Sequence, residues 1–167
     1  MAVTLERLWA GWRSEYVEGA AAADGGVFCR ILASEEAGES TYIVRRDEFC
    51  AVVLNAYPYT SGHLMVMPIR HVGELEELDP DEAAALWREL ADAVRALKAG
   101  YSPDGLNVGA NLGRSAGAGV PGHFHMHCVP RWNGDTNFMT TLAETRMLPE
   151  ALPATYEKIR KAWPTDG

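Results

Sequence analysis

A chain of 167 residues, 47% hydrophobic and 23% charged, has the length and balance of one globular domain. Its net charge of −8 argues against nucleic acid as a main partner, since duplex binding rests on a basic surface, and no apolar run nears the roughly 20 residues that span a bilayer. Three distantly spaced cysteines, Cys29, Cys50 and Cys128, argue against a disulfide framework; the N-terminus MAVTLERLWAGW has no leader-like apolar core, so a cytoplasmic setting is expected.

In chain order, Leu5, Leu8, Trp9, Trp12 and Tyr16 recur at helical spacing behind Thr4, a good N-cap residue, and predict a first helix that GAAADGG ends. TYIVRR and FCAVVL flank Asp47-Glu48 and predict a hairpin. HLMVMP follows the turn-rich NAYPYTSG as a third strand. A long helix is capped by Asp79, with Pro80 at its first position, a Leu86, Leu90, Val94, Leu97 stripe, and an end at Gly100. LNVGAN and HFHMHCVP are the remaining strands, and PATYEKIRKAW predicts a last helix from about Pro153. No repeat or linker divides the chain. The expectation is a single α+β domain over 1–167, with an N-terminal helix and loop (1–25), a core (26–132) and a C-terminal extension (133–167). Its antiparallel sheet of about five strands carries the helices on one side.

The strand HFHMHCVP carries three of the five histidines. Side chains alternate along a strand, so His123, His125 and His127 share one face while Phe124, Met126 and Cys128 share the other. The second set suits a core; the first offers a row of imidazoles to a cleft. Two chemistries compete for that row. It can ligate a metal, with His63 adding a nitrogen, or one imidazole can attack phosphorus while its neighbours handle charge and protons. The preceding NVGANLGRSAGAGVPG favours the second reading, because glycine lets backbone approach phosphate oxygens and Asn107, Asn111 and Ser115 are polar partners for them. The nearest acids, Asp104 and Asp135, lie outside this segment.

HFHMHCV resembles the His-φ-His-φ-His-φ-φ motif (φ apolar) of the histidine triad (HIT) superfamily of nucleotide hydrolases and transferases. TSGHLMVMPIRHV resembles the first strand-and-turn motif of that family, with His63 as its histidine, and Asn55 matches the position that contacts ribose in many members. LERLWAGWRSEYV and VPRWNGDTNF are similar to a narrower branch, the bacterial diadenosine tetraphosphate phosphorylases. The resemblance implies that His125 attacks an α-phosphorus to give a nucleotidyl-histidine, its other nitrogen donating to a backbone carbonyl. His123 and His127 would stabilise phosphate oxygens and assist the leaving group, His63 would contribute from the neighbouring strand, and Asn111 with the Gly117, Ala118, Gly119 backbone would cradle phosphates. It further implies an adenosine-type nucleotide substrate, a homodimer, and magnesium only as a companion of the nucleotide. With inorganic phosphate as acceptor the expected activity is phosphorolysis of diadenosine polyphosphates; with water the alternative is hydrolysis of a dinucleoside polyphosphate or nucleoside phosphoramidate.

Two departures from the family pattern stand out. Many members carry Cys-x-x-Cys near the N-terminus in a structural zinc site; GVFC has Gly26 in place of the first cysteine, leaving Cys29 with His71 as a partner, and no metal is expected. The loop before the triad holds Ala118-Gly119-Val120-Pro121-Gly122 where many hydrolases of the family have a polar residue. Arg131 and Trp132, at the end of the triad strand, lie within reach of a ligand there, and Cys128 is expected to be inert.

Overall fold

The structure, a computed structural model, describes residues 26–34, 41–135 and 150–165. Five strands, β1 (Ile43–Arg46), β2 (Cys50–Leu54), β3 (Leu64–Pro68), β4 (Gly105–Ala110) and β5 (Met126–Arg131), form one antiparallel sheet in the order β1-β2-β3-β5-β4. The β1–β2 hairpin turns where Asp47 Oδ1 accepts the N–H groups of Phe49 and Cys50 at 2.7 and 2.6 Å. Strands β2 and β3 are buried along their whole length, as apolar runs covered on both faces must be.

One face of the sheet carries Cys50, Val52, Leu54, Leu64, Val66, Phe124, Met126 and Cys128. Against it pack Leu86, Leu90, Ala93 and Leu97 of helix α2 (Pro80–Tyr101) and Tyr156 and Ile159 of helix α3 (Leu152–Ala162). Each fully buried leucine on α2 stabilises by about 1.5–3 kcal/mol. The start of α2 is fixed by Glu82, which accepts the Asp79 N–H at 3.0 Å and pairs with Nε and Nη2 of Arg70 at 2.8 and 2.7 Å. The helix runs past Gly100 and stops at Tyr101, with Ser102 left-handed (φ 45) ahead of Pro103, which cannot continue a helix.

Helices lie on both sides of the sheet, not on one. The short helix α1 (Gly26–Leu32) packs Phe28 and Leu32 against Ala51, Val53, Met65, Met67 and Val120 on the opposite face. Arg46 holds its C-terminal end, donating to the carbonyls of Leu32 at 2.8 Å and Ser34 at 3.1 Å. Phe28 and Leu32 at i, i+4 were its sequence signal; the glycine-rich lead and the seven-residue length hid it. The helix expected over Leu5–Tyr16 lies outside the described residues.

Candidate active site

Met126 and Cys128 face α2, and His127 faces the α1 side, where it pairs across the ladder with Met65 of β3 and Gly109 of β4. The regular strand begins only at Met126, so His123 and His125 lie in the extended segment leading into it. Both are buried, at 1% and 5% exposure, with Phe28 edge-on to them at ring-centroid distances of 5.8 and 5.0 Å. The expected open row of imidazoles is therefore partly roofed by α1.

The three histidines divide their work. His125 Nδ1–H donates to the His123 carbonyl at 2.8 Å, so the neutral ring keeps its lone pair on Nε2. Burial lowers the His125 pKa from its ordinary value and favours this neutral form. The His125 and His127 rings meet edge to face at 4.9 Å. His123, expected to touch phosphate, turns its ring elsewhere: Nε2–H donates to the Pro68 carbonyl at 2.8 Å, and Nδ1 lies 3.6 Å from Cys29 Sγ. Burial lowers the His123 pKa as well.

His63 enters from the turn before β3. Gly62 adopts φ +85 there, and a Cβ at this residue would meet Leu97, Pro130 and Tyr101 at 3.1–3.2 Å, so glycine is required twice over. The segment NAYPYTSG wraps the imidazole. Tyr59 N–H donates to His63 Nδ1 at 3.1 Å, and Thr60 Oγ1 ties the loop to the Pro130 carbonyl at 2.8 Å. Since Nδ1 accepts, His63 carries its proton on Nε2 and donates it to His127 Nδ1 at 3.0 Å. His127 in turn must hold its own proton on Nε2. Asn55, 9% exposed, accepts the Tyr57 N–H at 2.9 Å on Oδ1 and lies 3.4 Å from His63 Nδ1 through Nδ2, so it braces this loop.

The glycine-rich segment folds into a short 3-10 turn, Arg114–Ala116, closed by Gly117 at φ 95. Gly117 N–H donates to the Arg114 carbonyl and Ala118 N–H to that of Gly113, at 2.9 and 3.2 Å. Two of the three amides expected to cradle phosphate thus serve the turn itself. Gly119 keeps its N–H outside these bonds among the described residues, and Asn111 sits half-buried just past β4. Arg131 is committed to Asp135, at 2.6 and 2.7 Å, and to Asn107 Oδ1 at 2.9 Å; Trp132 packs on Tyr101 at 6.2 Å.

Cys29, His71 and His123 bring ligand atoms within 4.8 Å of one another, with Cys29 Sγ 3.1 Å from His71 Nδ1. With Nε2 protonated, His123 aims its Nδ1 lone pair at this cluster. One thiolate and two imidazoles are a donor set suited to zinc. The residues fit such an ion as three ligands, and bound there it would tie α1 to the start of the triad segment.

Comparison with known proteins follows the same pattern. A HIT domain model matches residues 37–134. An AP-4-A phosphorylase of Mycobacterium tuberculosis is 38% identical, covering 95% of this chain and 85% of that protein. Among solved structures, a zinc-bound histidine triad family protein from Mycobacterium smegmatis superposes with a TM-score of 0.65 at 29% identity, over 81% of this chain and 91% of that one. A histidine triad nucleotide-binding protein from Sulfolobus tokodaii gives 0.64 at 33% identity, over 81% and 89%. With the motif, the five-stranded sheet and these likenesses in agreement, the chain belongs to the histidine triad family.

Proposed function

We propose that the protein is a nucleotidyltransferase that cleaves diadenosine polyphosphates by phosphorolysis. The observation that carries the reading is the His125 tautomer, fixed by the His123 carbonyl with its lone pair on Nε2. The likeness to an AP-4-A phosphorylase over nearly the full chain supports the substrate class.

His125 Nε2 attacks the α-phosphorus of diadenosine tetraphosphate, the bond from that phosphorus to the bridging oxygen breaks, and ATP leaves. His127 Nε2–H, held outward by the proton from His63, supplies a proton or hydrogen bond to the departing oxygen. Inorganic phosphate then attacks the adenylyl-histidine, releases His125 and gives ADP. Gly119 N–H and Asn111 are assigned to the phosphate chain. Asn55 is assigned to bracing His63 in place of the ribose contact expected for it. Zinc, when bound at Cys29, His71 and His123, supplies rigidity to the segment that presents His125; magnesium accompanies the nucleotide. Two copies pairing through the exposed edge strand β4 would complete the homodimer.

Hydrolysis is the second reading, favoured by one relative: an adenylylsulfatase of Arabidopsis thaliana is 30% identical over 71% of this chain and 58% of that protein. Incubation with diadenosine tetraphosphate, with and without inorganic phosphate, separates the two. ADP plus ATP formed only with phosphate supports phosphorolysis. AMP plus ATP in both tubes makes the protein a hydrolase.

A further inference from the structure

The ring of Tyr59 has no role assigned so far, yet it touches both members of the His63–His127 pair. Its ring centroid lies 4.6 Å from that of His63, tilted by 42°, and 6.0 Å from that of His127, tilted by 31°. Its backbone N–H is the donor that makes His63 Nδ1 an acceptor. We propose that Tyr59 is a positioning residue whose ring locks the two imidazoles in the one orientation that sends a proton outward through His127. The proposal rests on the functional reading above for its activity arm.

The need for a lock follows from imidazole geometry. The χ2 torsion of histidine is broad and roughly two-fold, so a 180° turn of the ring exchanges a nitrogen for a carbon at nearly the same place. Such a turn in His127 would remove the acceptor 3.0 Å from His63 Nε2. His63 is fully buried and held by its loop, but His127 is only partly covered. A flat ring laid across both denies His127 the volume a flip sweeps out and keeps water from replacing the inter-imidazole hydrogen bond. The backbone N–H fixes the tautomer of His63, and the aromatic face fixes the rotamer of His127. The phenol hydroxyl has no part in this device, so Phe should serve as well as Tyr.

The test uses the full chain with Tyr59→Phe and Tyr59→Ala, and Tyr59→Leu as the bulk-preserving variant should Tyr59→Ala melt early. Each is assayed on diadenosine tetraphosphate with phosphate, and on the p-nitrophenyl ester of AMP, whose leaving group needs no proton. Because general-acid assistance contributes about 100-fold or more, Tyr59→Ala is expected to lose about 30–100-fold in kcat on the dinucleotide. KM should change by less than about three-fold, and the activated ester should be turned over nearly as fast as by wild type. Tyr59→Phe should match wild type on both. In parallel, nitrogen NMR of the side chains should show one sharp tautomer for His63 and His127 in wild type and Tyr59→Phe, and exchange-broadened signals in Tyr59→Ala. Equal losses on both substrates, an unimpaired Tyr59→Ala, or a Tyr59→Phe as poor as Tyr59→Ala would overturn the proposal. If wild type turns over neither substrate, the functional reading fails and the nitrogen spectra alone decide: unchanged sharp signals in Tyr59→Ala overturn the lock.

Discussion

The carbonyl of His123 accepts the Nδ1 proton of His125 at 2.8 Å while the His123 ring points away to Pro68 and Cys29. One triad member thus serves His125, the proposed nucleophile, through its backbone, and its side chain anchors the segment. His125→Ala should lower turnover by about 10⁴-fold or more, because it removes the attacking atom. His123→Ala keeps the carbonyl and should lose far less activity. It should instead destabilise the fold by about 1–3 kcal/mol through the unpaired Pro68 carbonyl and the space left under Phe28. Steady-state rates and denaturant melts of the two variants check this. Equal kinetic losses would return the His123 ring to the substrate.

Much of this was legible in the sequence because regular periods carry it. Short strand-like runs bounded by turn residues marked the segments that became β1 to β5, the 3.6-residue stripe marked α2, and the alternating histidines were correctly split from Phe124, Met126 and Cys128. What was not legible depends on tertiary contact. The seven residues of α1 are too few to show a stripe, so the covering of His125 by Phe28 went unseen. Spacing places His123 on a face but does not choose its ring partners; those come from the Pro68 carbonyl and from Cys29, 94 residues earlier. The glycine-rich segment suggested exposed amides, whereas Gly117 and Ala118 spend theirs on a local turn.

Burial of His123 and His125 sets the sign of the pH response. Both pKa values are lowered in the fold, while in the unfolded chain a histidine titrates near its ordinary value of about 6.5. Below that value the unfolded state binds more protons, so acid favours unfolding; the stabilisation is fully present above about pH 6.5 and is lost as pH falls toward the folded values. Melting temperatures should hold between pH 8 and 7 and fall from about pH 6.5 downward, less steeply in His125→Ala. Glu82, whose carboxyl pKa is lowered chiefly by its hydrogen bond to Arg70, responds only in more acidic solution. The acid limb of kcat/KM should likewise lie below pH 6.5. A fold that gains stability between pH 7 and 5.5 would contradict the buried neutral imidazoles.

Thiol reactivity reports the two faces of the sheet. Cys50 and Cys128 are buried on the α2 face, and burial pushes both thiols up to about 12, so neither forms thiolate at pH 8. Cys29 is partly exposed on the other side. An aromatic disulfide reagent at pH 8 should titrate one thiol in the native protein and all three in denaturant. Fast reaction of Cys128 would mean that β5 is turned over, with its histidines in the core.

The proposed use of the histidines as nucleophile and donor, and not as ligands of a catalytic metal, has its own test. The Cys29, His71 and His123 donors include neither His125 nor the His63–His127 pair, whose 3.0 Å hydrogen bond already occupies a nitrogen of each ring. A zinc chelator such as 1,10-phenanthroline, with magnesium retained for the nucleotide, should therefore leave kcat within about two-fold. The same treatment should lower the melting temperature of any zinc-loaded protein, because the ion would tie α1 to His123. Loss of turnover that added zinc restores, with His125 intact and the fold unchanged, would make the histidine row a catalytic metal centre and remove the nucleotidyl-histidine from the pathway.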